Sequence, residues 1–336
     1  MRELTVAAGV MRALLEFAES RGAPRWALLE RCGVDPADLN DRDQRIPFRR
    51  YVALTRAAKE LCGDPAFALH FGESVPIADI SLGSVVGAYS ASMAEGLPLV
   101  NRYAPLTVEV EVAGGGDRFV FERQDGEIWI IDRRENPNDF PELTESGFAR
   151  MVSASRAAFG DLPFLKAVHV THAEPSYRAE YDRIFRAPVL FSSDRNALLA
   201  GDEWLSMAPP SPSRPIFEVL KAHSEALLEK LESSKSARGR VEQLLVPALS
   251  NGGATMDAIA RQLGLSRQSL FRKLKAEGVT FEQVLDDVRH QLALRCLRDE
   301  KLSVKETAFR LGFSEPASFS RAFKRWTGTR PSSPLG

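Results

Sequence analysis

Cysteine is scarce in this chain of 336 residues: there are three, Cys32, Cys62 and Cys296, set far apart. No two of them have the close spacing that a zinc ribbon or a thiol redox centre needs, so they read as isolated thiols. Long apolar runs are missing as well. No stretch approaches the roughly 18 apolar residues of a membrane span. The opening segment, MRELTVAAGVMRALLEFAESRG, is broken by Glu16 and Glu19 where a signal peptide would stay apolar. A cytoplasmic location is therefore expected. Also lacking are the GxSxG, P-loop, GxGxxG and HExxH motifs, so no common hydrolase, nucleotide or zinc-protease signature marks an enzyme. What remains is an ordinary globular composition, 44% hydrophobic and 26% charged. The length exceeds what one core usually organises, which favours two domains.

The formal net charge of −1 conceals an asymmetry. From Arg238 to Gly336, 17 Lys and Arg stand against 10 Asp and Glu, an excess of seven cations; residues 1–237 hold 27 against 35, an excess of eight anions. A basic segment following an acidic one suggests that the first alone meets a polyanion.

Residues 1 to about 75 read as helical. Val10, Leu14, Phe17 and Ala18 share one helical face, a second helix opens after Pro24, and a third runs from Pro47 to Cys62 before the Gly63, Asp64, Pro65 stop. The period then changes to two. Val108, Val110 and Val112 alternate with Glu109 and Glu111. Phe119 to Phe121 and Ile128 to Ile131, separated by the turn-former Asp125-Gly126, complete an expected β-meander. Another helix is expected over 143–159 and a strand over 167–171. The whole of 1–205 reads as an α+β domain. Residues 206–239 read as a connector, with Pro209, Pro210, Pro212 and Pro215 first. A helix follows whose stripe of Ile216, Leu220, His223, Leu227 and Leu231 is long enough to pair with a second copy or to pack on its own domain. Polar residues 232–239 then read as a flexible tether.

Residues 240–336 hold an internal repeat. IARQLGLS at 259–266 is echoed by TAFRLGFS at 307–314, an offset of 48. Leu270, Arg272, Leu274 and Lys275 recur as Phe319, Arg321, Phe323 and Lys324 at an offset of 49, one residue having been added to the second turn. Each copy makes sense as two helices and a turn. Ala260 and Ala308 let helices approach, Gly264 and Gly312 supply a positive φ, and Ser266 and Ser314 are placed to cap the second helix. Leu270 with Leu274, and Phe319 with Phe323, bury one face. The other face offers Arg267, Gln268 and Arg272 in the first copy and Ser318, Ser320, Arg321 and Arg325 in the second, groups suited to base edges and phosphates of double-stranded DNA. Lys275 and Lys324, one turn on, suit phosphate. An amphipathic spacer from Thr280 to about Asp299 spans about 30 Å, against about 34 Å between major grooves on one side of the duplex. The expected fold is thus an α+β N-terminal domain followed by an all-α DNA-binding domain with two helix-turn-helix units joined by a long helix.

At these residues the segment 240–334 resembles the DNA-binding domain of the AraC/XylS family of bacterial transcription regulators, most specifically in VKETAFRLGFSEPASFSRAFKRWTG at 304–328 followed by TRPS. The chain departs from the family's usual aromatic and arginine after Pro331 and Ser332, reading SPLG at 333–336. The resemblance places base-reading positions on Arg267, Gln268, Phe271 and Arg272, and on Pro316, Ala317, Ser320 and Arg321. It also implies RNA polymerase as a partner. Segments LLERCGVDP at 28–36, RIPF at 45–48, GDP at 63–65 through FG at 71–72, and FRAP at 185–188 with Phe191 are similar to the effector domain of ornithine-utilisation-type members, which is distinct from a cupin. That resemblance implies a small-molecule effector. Arg102, Tyr103 and Trp129, polar and aromatic groups near strand starts or within strands, could line its pocket, but such residues are more often ordinary core or surface, and none is assigned to the effector.

Two other readings compete. An enzyme would have to use His169 and His172 with Glu174 and Asp182, but a strand over 167–171 turns successive side chains to opposite faces and leaves no metal shell. A constitutive DNA-binding protein would leave some 200 residues of α+β domain without a task. Neither a cofactor nor a metal is expected, and a homodimer through the 216–231 stripe is.

Overall fold

The computed structural model describes residues 3–160, 164–210, 212–249 and 252–331, with the backbone alone at 82–84. The departure from the family's usual ending, at 333–336, lies outside the described residues. The chain divides into two compact units, 1–228 and 229–336.

The first unit opens with β1 (Thr5–Ala7), α1 (Ala8–Ser20), α2 (Arg25–Cys32), β2 (Arg45–Pro47), α3 (Phe48–Leu61), α4 (Phe67–Ser74), α5 (Ile77–Ile80) and α6 (Met93–Thr107). β1 and β2 form a small antiparallel pair. The apolar stripe of α1 does what its spacing predicts: Val10, Leu14 and Ala18 are buried, packed with Leu28, Leu54 and Phe71. Then come β3 (Phe119–Gln124), β4 (Glu127–Asp132), α7 (Glu142–Phe159), β5 (Leu165–His169), α8 (Arg178–Phe185), β6 (Val189–Leu190) and β7 (Asn196–Gly201). The five strands make one mixed sheet in the order β3-β4-β7-β5-β6, antiparallel except between β5 and β6. Ile128 and Ile130 of β4 point into a core shared with Phe148 and Val152 of α7. Asp125 and Gly126, both at positive φ, close the β3-β4 hairpin as a type I′ turn requires.

The expected first strand of the meander is not in this sheet. Residues 108–112 make only isolated bridges, Val108 to Val6 and Val112 to Arg134. The alternation fails because Glu109 is buried beside Val108. Its carboxylate accepts a hydrogen bond from Thr5 Oγ1, and its N–H donates to Thr5 O at 2.9 Å. Polar partners inside the fold have replaced the solvent face that the pattern assumed.

A single helix, α9 (Arg214–Lys235), carries the point at which the units divide. Its buried residues include Phe217, Ser224 and Leu228, each one position past the expected Ile216, His223 and Leu227, while Leu231 is buried as the stripe expected. His223 is exposed and Ile216 is 45% exposed. The segment expected to be a flexible tether is helical instead. Lys235 ends α9, Ser236 caps α10 (Ala237–Ala248) by accepting from Gly239 N, and the carboxylate of Glu277 accepts from the N–H groups of Ala237 at 2.7 Å and Arg238 at 2.9 Å. Small polar residues that suit a linker suit a helix start equally well.

The second unit continues with α11 (Met256–Gln262), α12 (Arg267–Ala276), α13 (Phe281–Arg298), α14 (Val304–Arg310) and α15 (Pro316–Thr327), around one core that includes Ile259, Leu270, Val288, Ala308 and Phe319. Capping boxes, Thr280 with Gln283 and Ser303 with Glu306, fix the starts of α13 and α14. Among the described residues no helix is long and apolar enough to cross a membrane.

Candidate nucleic-acid interface and effector cavity

Both helix-turn-helix units form where the repeat places them. Gly264 and Gly312 sit at φ +67° and +75°, and a Cβ on Gly312 would lie 2.5 Å from the carbonyl oxygen of Leu249, so conformation and space both require glycine there. Ser266 caps α12 by accepting from Ser269 N at 3.1 Å. Ser314 does not cap α15. The added residue moves the cap position to Glu315, whose side chain makes no capping bond, and Pro316 occupies the first turn.

On α12, Leu270 and Leu274 are buried while Arg267, Gln268, Phe271, Arg272 and Lys275 are exposed. Phe271 is an apolar ring left 51% open on that face. Arg267 Nη1 is tied to Asp257 Oδ2 at 2.6 Å. Among the described residues the side chains of Arg272 and Lys275 make no hydrogen bond or ion pair. On α15, Phe319, Ala322 and Phe323 are buried, and Ala317, Arg321, Lys324 and Arg325 are exposed. Here the polar groups are largely engaged. Ser320 Oγ donates to Pro316 O at 2.9 Å, Arg321 Nη2 donates to Ser318 Oγ at 3.0 Å, and Arg325 pairs with Asp286 of α13 at 2.5 Å. Lys324 has no such tie among the described residues.

The first unit contains a cavity of about 270 Å³, near the small end of the range for ligand pockets. One helical face of α6, with Leu99, Val100, Tyr103, Ala104 and Thr107, and one of α7, with Leu143, Gly147, Arg150, Met151 and Ala154, line much of it. Two guanidinium groups reach the wall. Arg118 is held bidentately by Asp132, at 3.0 and 2.7 Å. Arg150 has no carboxylate partner among the described residues: its Nη1 donates to Val75 O, and its guanidinium lies 4.9 Å from the centre of the Phe71 ring. Burial pulls its pKa down to about 10, and the strongest opposing influence is the Tyr51 phenol. Tyr103 faces the cavity and donates its hydroxyl to Glu225 Oε1 on α9 at 2.7 Å. Arg102 forks onto the same carboxylate, and the two hold its pKa down at about 2.

Of the three residues weighed as pocket linings, Tyr103 lines the cavity, whereas Arg102 and Trp129 do not. One signal was there: Leu143, Gly147, Arg150 and Ala154 form an inward helical stripe, and an arginine in such a stripe breaks the binary pattern. His169 and His172, the best candidates for a metal, are separated in use. His169 Nδ1 contacts Ser193 Oγ at 3.0 Å, and His172 Nε2 meets Tyr181 Oη at 2.9 Å.

A family model described as the arabinose-binding domain of AraC transcription regulators, N-terminal, matches residues 22–208, and a helix-turn-helix domain model matches 259–334. The ornithine utilization regulator of Pseudomonas aeruginosa is 27% identical over 323 residues, covering 95% of this chain and 93% of that protein. The HTH-type transcriptional regulator VirS of Mycobacterium tuberculosis is 24% identical over 322 residues, covering 92% and 90%. Among solved structures, the transcriptional regulator CdpR from Pseudomonas aeruginosa is similar with a TM-score of 0.46 at 22% identity, covering 96% of each chain.

Proposed function

We propose that this chain, which belongs to the AraC family of transcription regulators, reads DNA chiefly through α12, holds it through α15, and adjusts that grip to a small molecule bound in the first unit. The observation that carries the reading is the pair of outward helix faces: α12 leaves Gln268, Phe271, Arg272 and Lys275 exposed and without side-chain partners among the described residues, whereas α15 begins with Pro316 and Ala317, which offer no hydrogen-bonding side chain. A bidentate arginine on guanine O6 and N7 is the commonest specific contact in a major groove, and Arg272 is the residue best placed to make it. Arg267 and Arg321 join it once their exposed ties to Asp257 and Ser318 are released, at small cost for surface pairs. Lys275, Lys324 and Arg325 take phosphates. The 18 residues of α13 give a strut of about 27 Å, compatible with two successive major grooves.

Selection from a random DNA library tests this. Enrichment of a site with two reading segments about 10 base pairs apart, the α12 segment the more constrained, is the expected result. Enrichment of no sequence would overturn it.

The effector role rests on the cavity and on the Tyr103–Glu225 bond, which links its wall to α9. Ornithine, named in the Pseudomonas relative, carries two ammonium groups at neutral pH, and no Asp or Glu stands among the described residues of the cavity wall to receive them. Two further partners belong to the proposal: RNA polymerase, expected of the family, and a second copy of the chain. The exposed residues Ile216 and Val219, 45% and 69% open on α9, are the surface for the latter. Sedimentation of Ile216→Asp with Val219→Asp should show monomer where the native chain is dimeric; an unchanged mass discards that surface.

A further inference from the structure

The cavity described above has an uneven chemistry. Val10, Ile77, Ile80, Leu99, Phe119 and Met151 make its wall mostly apolar. Into that wall the fold sets one guanidinium, Arg150, whose charge no carboxylate answers among the described residues, while its neighbour Arg118 is fully answered by Asp132. Leaving a part-buried cation without a counter-ion is costly, and folds normally supply a partner. Among the described residues only one hydrogen bond, to Val75 O, uses the five N–H donors of Arg150. The rest of the fork is available at the boundary between α7 and an apolar chamber.

We propose that the cavity binds a small organic monocarboxylate with an apolar body, its carboxylate on the Arg150 guanidinium and its hydrocarbon part against α6 and α7. The volume sets the size. About 270 Å³, close to the lower end of small-molecule sites, suits a short acyl or aryl-acyl chain. Arg150 stays protonated at neutral pH even with its pKa pulled down to about 10, so the carboxylate meets a full charge away from bulk water, where charge-assisted pairs are strongest. The hydrocarbon part lies against Leu99, Val100 and Ala104, on the face of α6 that also carries Tyr103. Occupancy is thereby placed one hydrogen bond from Glu225 of α9. This inference rests on the effector reading above and names the class of effector.

The experiment uses the purified full-length chain with hexanoate, octanoate and phenylpropionate, each paired with the alcohol of the same carbon skeleton. Calorimetry and thermal melting are expected to show binding of at least one acid, with its alcohol weaker by on the order of ten- to a hundredfold. Arg150→Met keeps the apolar stem and should erase the preference of acid over alcohol. Should Arg150→Met fail to fold, Gly147→Leu serves. Gly147 lines the cavity, and a Cβ built on it meets nothing within 4 Å, so leucine there should fill the chamber and abolish binding while leaving Arg150 in place. Equal binding of acid and alcohol, no binding of any acid, or an acid preference that survives Arg150→Met would overturn the proposal. Affinity for the selected DNA site, measured with and without the acid, separates the two claims. An acid that binds at Arg150 without changing DNA affinity sinks the effector reading and keeps this site; DNA affinity that responds to another metabolite while no acid binds does the reverse.

Discussion

The two recognition helices descend from one repeated pattern and yet present different chemistry. α12 holds its buried side with Leu270 and Leu274 and keeps its outer side open, with Arg272 and Lys275 uncommitted. α15 has the larger aromatic anchor, Phe319 and Phe323 with rings 5.7 Å apart, and its outer polar groups are turned onto its own backbone, a neighbouring serine and α13. The same scaffold can therefore be spent on reading or on holding. What decides between them is which polar side chains already have partners before DNA arrives.

The largest effect should come from breaking the scaffold that the two helices share. Leu270 and Phe319 lie in one core, so Leu270→Ala and Phe319→Ala should each destabilise the second unit as a whole, by about 2–5 and about 3–5 kcal/mol. Urea titration of the full chain checks this, and loss of one helix-turn-helix unit without the other would show that they are energetically separate. Next comes Arg272→Ala, expected to lower affinity by about 1–3 kcal/mol and to relax preference in one groove only. Arg321→Ala should cost less, because its guanidinium starts from a bond to Ser318. Removing Lys275 or Lys324 should weaken binding to all sequences alike and reduce the salt slope by about one unit each, readable from affinity at several salt concentrations. The smallest change is Asp286→Ala. It frees Arg325 from its surface partner, and the gain in non-specific affinity should stay within the 0.2–1 kcal/mol or so of an exposed pair.

Much of the second unit was legible in the sequence because its signals are local. The positive-φ glycines, the buried alanines and the four-residue spacing of Leu270 with Leu274 each act within a turn or two of helix, and the +7 charge excess agreed with them. Ser314 misled because one inserted residue shifts the cap, and a repeat alignment registers the insertion without saying which residue inherits the role. The polar stretch before Arg240 misled for a different reason: what makes it helical is the carboxylate of Glu277, some forty residues on, satisfying two N–H groups at the start of α10. The first unit was legible in α1, α2, α3 and α7 and in the β3-β4 hairpin, whose turn is coded by two adjacent residues, but not in α6 or α8. The valine alternation at 108–112 read as a sheet strand because nothing local announces that Glu109 is buried by Thr5, more than a hundred positions earlier. The cavity was hidden for the same reason. Its walls come from seven elements, and most residues in them are individually ordinary, the two guanidinium groups of Arg118 and Arg150 excepted.

The central claim is that specificity resides mainly in α12. It is tested most directly by measuring the affinities of the native chain, Arg272→Ala and Arg321→Ala for a selected DNA site and for every single-base variant of it, at fixed salt. The account predicts that Arg272→Ala flattens the base preferences across one groove, losing most of the discrimination at those positions, while Arg321→Ala lowers affinity and relaxes the preferences of its own groove much less. Equal flattening by the two substitutions, or a stronger loss of discrimination with Arg321→Ala, would contradict it.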